Sequence, residues 1–252
     1  MGRDDGRTRR YIARRRMSAS VESLLLRARR ARWLNVVVVN LRFLIGFAFV
    51  PSGLKKLLHQ PFTDPDNRGP FHEFLHAFYA TGHFYQFVGA MQLVVALLLF
   101  TQRFATVGAL LAMPILTTIL VFGWSTAVYP TATVVTLMFL ATVGLLLWDL
   151  QKWRGIFSSD RVETQIRIAA LPPVIDLKLW QGCGVAILAL YLAVCALTGE
   201  IYRPRRLEPD SLAFYMFPAM LLLPIVTFAV DQVRHRRSRA QRQPSAGERN
   251  PI

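Results

Sequence analysis

Hydrophobic and polar positions alternate along this chain on the scale of whole helices. Six apolar runs, at 33–58, 84–100, 104–122, 129–147, 180–197 and 212–230, are separated by polar stretches. A membrane-crossing helix needs about 20 apolar residues to cover ~30 Å of hydrocarbon. Lipid offers no partner to backbone N–H and C=O groups, so each run predicts a helix rather than an open strand. Trp33, Trp124, Tyr129, Trp148 and Trp180 fall at run ends, where amphipathic rings favour the headgroup level. The expected fold class is an all-α integral membrane protein, with the lipid bilayer as its first partner.

Charge adds a direction to this picture. The 252 residues are 53% hydrophobic with a mean hydropathy of +0.34, yet the net charge is +15. Residues 1–32 hold eleven arginines against Asp4, Asp5 and Glu22, and residues 231–252 hold six against Asp231 and Glu248. An even number of spans puts both flanks on one side, and short arginine-rich flanks favour the cytoplasm. Lys152, Arg154, Arg161 and Arg167 agree with that orientation, whereas Lys55, Lys56, Arg203, Arg205 and Arg206 run against it. The flanks are expected to meet anionic lipid, with residues 20–33 forming an amphipathic interfacial helix, and no specific nucleic acid is expected. The three arginines of "RPRRLEP" (203–209) read as a solvated loop or as a contact for an anionic partner. Cys183 and Cys195 lie twelve residues apart in one run, roughly 18 Å along a helix, too far to bridge each other.

Polar side chains inside the runs are the next signal. In "WLNVVVVNLRFLIGFAFVPSGLKKLL", only twelve residues separate Arg42 from Lys55, about 18 Å of helix, so Arg42 and the valines before it belong in lipid. Arg42, Gly46, Phe49, Gly53 and Lys56 fall within about 40° of one line down the helix. Glycines at 46 and 53 let a neighbouring helix approach, so this face is expected to point inward and leave polar room at each end. The other fate open to Arg42 is snorkelling to the headgroups. Gln92 is the expected partner from the second run, or an interhelical hydrogen bond of structural value alone. Thr117, Thr118, Thr133 and Thr136 are expected to bond their own backbone.

Between the first two runs, "GPFHEFLHAF" contains His72, Glu73 and His76 in the H-E-x-x-H pattern that can grip zinc and activate its water. His83 falls one residue from the third-ligand position of the extended pattern, and Tyr79 stands where its glycine belongs. The bland alternative is an amphipathic helix ended by Gly82, with Phe71, Phe74, Leu75 and Phe78 as its apolar stripe and the histidines on its wet face. Zinc therefore has candidate ligands in His72, Glu73, His76 and His83 but no complete set.

Taken together, "NLRFLIGFAFVPSGLKKLL", "FYQFVGAMQLVVALLLF", "RFATVGALLAMPILTTIL" and "LMFLATVGLLLWDLQKW" resemble the DoxX-like family of bacterial membrane proteins over about residues 38–154. The resemblance implies a four-helix transmembrane bundle in the plasma membrane, with some members associated with redox enzymes, the quinone pool or oxidative-stress complexes. By position, Arg42, Gly53 and Lys55 or Lys56 match the family pattern. Many members carry a glutamate where this chain has Gln92, and the family's counterpart of the histidine segment is an aromatic-rich loop rather than a peptidase signature. The expected organisation is a basic tail with its interfacial helix (1–32), the four-helix domain (33–154), a cytoplasmic connector (155–179), two additional spans (180–230) and a second basic tail (231–252). The leading expectation is a non-catalytic membrane subunit or binding module for a small, partly apolar molecule such as a quinone, working with a redox partner subunit. Its ligand-binding residues would be Arg42, Gly46, Gly53, Lys55, Lys56 and Gln92. The alternatives are a membrane zinc metallopeptidase and a small-solute transporter, the latter usually betrayed by an inverted repeat that this sequence does not display.

Overall fold

The computed structural model describes residues 25–150, 174–201 and 211–242. The connector residues Lys152, Arg154, Arg161 and Arg167, the loop arginines 203, 205 and 206, and the beginning of the expected interfacial helix lie outside them.

Among the described residues a helical turn at 25–30 precedes the helices α1 (Arg32–Leu57), α2 (Pro70–Ala80), α3 (His83–Phe100), α4 (Ala105–Ser125), α5 (Tyr129–Trp148), α6 (Leu177–Thr198) and α7 (Leu212–Arg242). All except α2 are long and apolar enough to cross a bilayer. By helix length and hydropathy the chain is a multi-pass membrane protein. Helix ends follow local chemistry: the Asp176 side chain accepts the Leu179 N–H at the start of α6, and Gly199, at φ 72°, closes its other end. Gly82, at φ 59°, separates α2 from α3. The end of the bundle where α1 begins and α3, α5 and α7 finish is called the near end below.

α1 lies at the centre, packed chiefly on the antiparallel α3 with further contacts to α5 and α6. Lipid supplies no hydrophobic drive between helices, so close approach and hydrogen bonding must hold them together. A Cβ on Gly89 would stand 2.6 Å from Lys56 Cβ and 2.7 Å from the Gly53 carbonyl oxygen, so the backbones touch at this crossing. Nearer the near end Gly46 packs on Ala96, Leu99 and Phe100. The inward face read from the sequence is as expected: Arg42, Gly46, Phe49, Gly53 and Lys56 are all buried.

α6 and α7 pair with each other and reach the rest through α1 and α3. Gly184 admits Phe43 and the Phe100 backbone. Phe47 meets Tyr191 and Phe217 edge-on at 5.2 and 6.2 Å. Trp180 is a correction to the interfacial reading: it is fully buried beside Phe43, at 6.3 Å, because α6 begins three residues earlier than the apolar run and carries this ring inward. The basic tail expected from residue 231 begins as helix. α7 continues without a break to Arg242, and Asp231 is buried in an ion pair with Arg32 at 2.8 Å.

Thr117, Thr118 and Thr136 bond the carbonyls of Met113, Pro114 and Ala132, as their position within apolar helices requires.

Candidate functional site

Two buried polar clusters lie at opposite ends of α1. At the near end Arg42, only 6% exposed, donates from Nη2 to Asp149 Oδ2 at 2.8 Å and from Nη1 to Gln102 Oε1 at 3.1 Å. Asp149 follows the last residue of α5 and is 2% exposed. A carboxylate at a helix C-terminus faces the negative end of the helix dipole, so it needs cations to stay buried there. Among the described residues Arg42 supplies one in direct contact and Arg29 another, its Nη2 3.9 Å from Oδ1 and also donating to the Trp148 carbonyl at 2.6 Å. Thr106 Oγ1 donates to the same Oδ2 at 2.9 Å. Burial pushes the Arg29 guanidinium below its ordinary pKa, with Asp149 opposing that shift.

Gln102 sits in the corner between α3 and α4 with φ 57°, a left-handed value uncommon outside glycine. The corner is tightened by the Gln181 amide of α6, which donates to the Thr101 carbonyl at 2.7 Å. Five elements therefore fix the cluster: the turn before α1, α1 itself, the α3–α4 corner, the first turn of α4 and the end of α5.

Among the described residues, five buried side-chain nitrogens lack a hydrogen-bond partner: Nε of Arg29, Arg32 and Arg42, Nε2 of Gln102 and Nε1 of Trp180. Every one is a donor. An unmade buried hydrogen bond costs about 1–3 kcal/mol, so a partner bringing acceptors would recover that cost.

At the far end Lys56 Nζ donates to Ser52 Oγ at 2.7 Å, to Gln92 Oε1 at 3.1 Å and to the Ser52 carbonyl at 3.3 Å. Phe62 and Tyr85 cover it, with ring centroids 4.4 and 5.9 Å from the ammonium, a geometry in which aromatic faces stabilise a desolvated cation. Lys55 is half-buried beside this group.

The expected site residues are thus divided. Gln92 belongs with Lys56, not with Arg42. The α1–α3 crossing explains why: Gly53 meets Gly89 and Gly46 meets Ala96, which places Arg42 opposite the end of α3, about 12 Å along the helix from Gln92. Gly46 and Gly53 are filled by α3 rather than lining a space between the first two spans. Asp149, Gln102 and Thr106 were missed by the sequence reading. Asp149 carried one signal, a carboxylate just past the Trp148 that closes an apolar run.

The histidine motif does not converge. His72 Nδ1 pairs with Thr63 Oγ1 at 2.6 Å, His76 Nε2 lies 3.4 Å from the Asn67 carbonyl, and His83, on the next helix, faces Gln86 at 3.3 Å. Glu73 is exposed, and among the described residues no three His, Cys, Asp or Glu side chains are placed to hold a metal ion. The apolar stripe of α2 does pack as the pattern requires, Phe71 and Phe74 on Phe122 and Phe78 on Tyr85, at 5.3, 4.4 and 5.0 Å.

No family model, curated protein or solved structure matches this chain.

Proposed function

We propose that this chain is a non-catalytic membrane subunit of DoxX-like architecture: a four-helix bundle, α1 and α3–α5, to which α6 and α7 are added. It binds a small, partly apolar molecule carrying hydrogen-bond acceptors and presents it to a redox partner in the bacterial plasma membrane. A quinone is the leading candidate, since its ring suits the lipid-facing surroundings and its carbonyl oxygens suit unspent donors. The near-end cluster holds the ligand, with Arg42 and Gln102 as donors and Asp149 and Thr106 as the groups that orient Arg42. The Lys56–Gln92–Ser52 group anchors the far end of α1 to α3. Both flanks face the cytoplasm, where the basic residues meet anionic lipid.

The observation that carries this reading is Arg42, enclosed by protein and paired with Asp149, with its Nε and the neighbouring Gln102 amide still unspent.

A strain carrying Arg42→Leu tests it. With protein level matched to wild type, and the cost of stranding Asp149 controlled by the Arg42→Leu/Asp149→Leu double variant, the strain should become as sensitive to oxidants as one lacking the protein, and lipid extracts of the purified variant should lose a quinone that wild type retains. Wild-type oxidant resistance in that strain would reduce Arg42 to a structural and orienting charge.

A further inference from the structure

The surplus at the near end is one-sided in two respects. Arg29, Arg42 and Gln102 offer donors without acceptors, and two guanidinium groups share one carboxylate, Asp149. Arg42 and Gln102 are in direct contact at 3.1 Å, so their remaining donors belong to one group of atoms. A neutral carbonyl would accept a hydrogen bond but leave the excess charge in place. An anionic oxygen answers both demands, and the planar guanidinium fork matches phosphate geometry.

Depth narrows the source. The cluster is built from the α3–α4 corner, the residue after α5 and the helical turn at 25–30, which lie at the ends of apolar spans, and from Arg42, ten residues into α1, whose side chain meets them there. Headgroup phosphates lie at that level, whereas a midplane site would be surrounded by hydrocarbon. We infer that Arg29, Arg42 and Gln102 bind the phosphate of a phospholipid headgroup whose acyl chains remain in the bilayer. This rests on reading the near-end cluster as a ligand site, and it puts a phospholipid rather than a quinone there. Asp149 does not repel the phosphate freely: Oδ2 is engaged by Arg42 and Thr106, and Oδ1 faces Arg29. Its part is to position Arg42.

The test uses the full chain, purified in detergent, examined by native mass spectrometry and then placed in phosphatidylcholine nanodiscs with and without phosphatidylglycerol. Wild type should keep one phospholipid per chain through delipidation and prefer phosphatidylglycerol. Gln102→Glu, which replaces a donor by a carboxylate, should weaken retention about tenfold. Arg42→Lys, which keeps the charge and loses the fork, should weaken it similarly and serves if the first variant does not fold. Stabilisation of delipidated protein by inorganic phosphate as large as that by phosphatidylglycerol would uphold the phosphate chemistry and move its source to the free ion. Equal retention in wild type and both variants, or no phosphate-bearing molecule at all, would overturn the inference. A quinone retained in place of phospholipid would overturn it while leaving the proposed function standing; retention of neither defeats both.

Discussion

Asp149 is the residue on which Arg42 depends. Removing one member of a buried ion pair strands the other, typically at a cost of 3–5 kcal/mol, whereas replacing both by apolar groups is often close to neutral. Asp149→Asn should therefore lower unfolding stability in detergent by about 3 kcal/mol or more, since Arg29 loses the same carboxylate charge as Arg42. Replacing Arg42 and Asp149 together by leucine should cost less than the sum of the single changes, and strictly additive costs would show that the 2.8 Å contact carries no coupling. Gly89 makes a second residue-scale prediction. An added Cβ would stand 2.6 Å from Lys56 Cβ and 2.7 Å from the Gly53 oxygen, so α1 and α3 must separate. Gly89→Ala should destabilise by about 1–3 kcal/mol, while Gly144→Ala, with nothing within 4 Å of its new Cβ, should change stability by less than about 0.5 kcal/mol.

At the scale of elements, α6 and α7 are fastened at the near end by two acidic residues. Asp176 caps α6 and receives Arg234 of α7 at 2.9 Å; Asp231 of α7 accepts Arg32 and the Asp176 backbone N–H. Burial would raise the Asp176 pKa, but the Leu179 N–H and Arg234 outweigh it and hold the carboxyl below its ordinary 3.8. A carboxyl lowered on folding adds stability that is complete above its unfolded value and disappears as pH falls through the folded one. Acid unfolding of wild type should therefore show a loss of stability beginning below about pH 4 that is smaller in Asp176→Asn; identical acid limbs would remove Asp176 from the fastening.

The elements themselves were largely legible. Apolar run length fixed six spans to within a few residues because lipid leaves the backbone no alternative to a helix, and the glycine spacing on α1 announced its inward face. What one chain of letters could not supply was the register between helices, which sends Gln92 to Lys56 and Arg42 to Asp149. The inward turn of Trp180 and the run of α7 past residue 230 depend likewise on packing partners distant in sequence. The H-E-x-x-H spacing left two readings open, a ligand pair or the wet face of an amphipathic helix, and the two histidines are each engaged by a different group of the preceding loop.

For the whole molecule, the ion pair between Arg32 at the start of α1 and Asp231 near the end of α7 places those two ends on one side. If that side is cytoplasmic, cysteines introduced at Arg30 and Arg237 in a Cys183→Ala, Cys195→Ala background should resist an impermeant maleimide in intact cells and react after permeabilisation. Labelling of either in intact cells would reverse the orientation. The two ends of the bundle differ in kind: at the far end Phe62 and Tyr85 cover a lysine that donates to Ser52 and Gln92, while the near end keeps unspent donors beside a guanidinium pair. We propose the near end as the binding site on that difference. The most direct measurement is mass spectrometry of what remains bound to purified Arg42→Leu/Asp149→Leu protein compared with wild type. Thermal stability equal to or above wild type, with the stoichiometric bound molecule gone, is the predicted result; the same molecule retained at wild-type occupancy would show that the near-end cluster is not where the ligand is held.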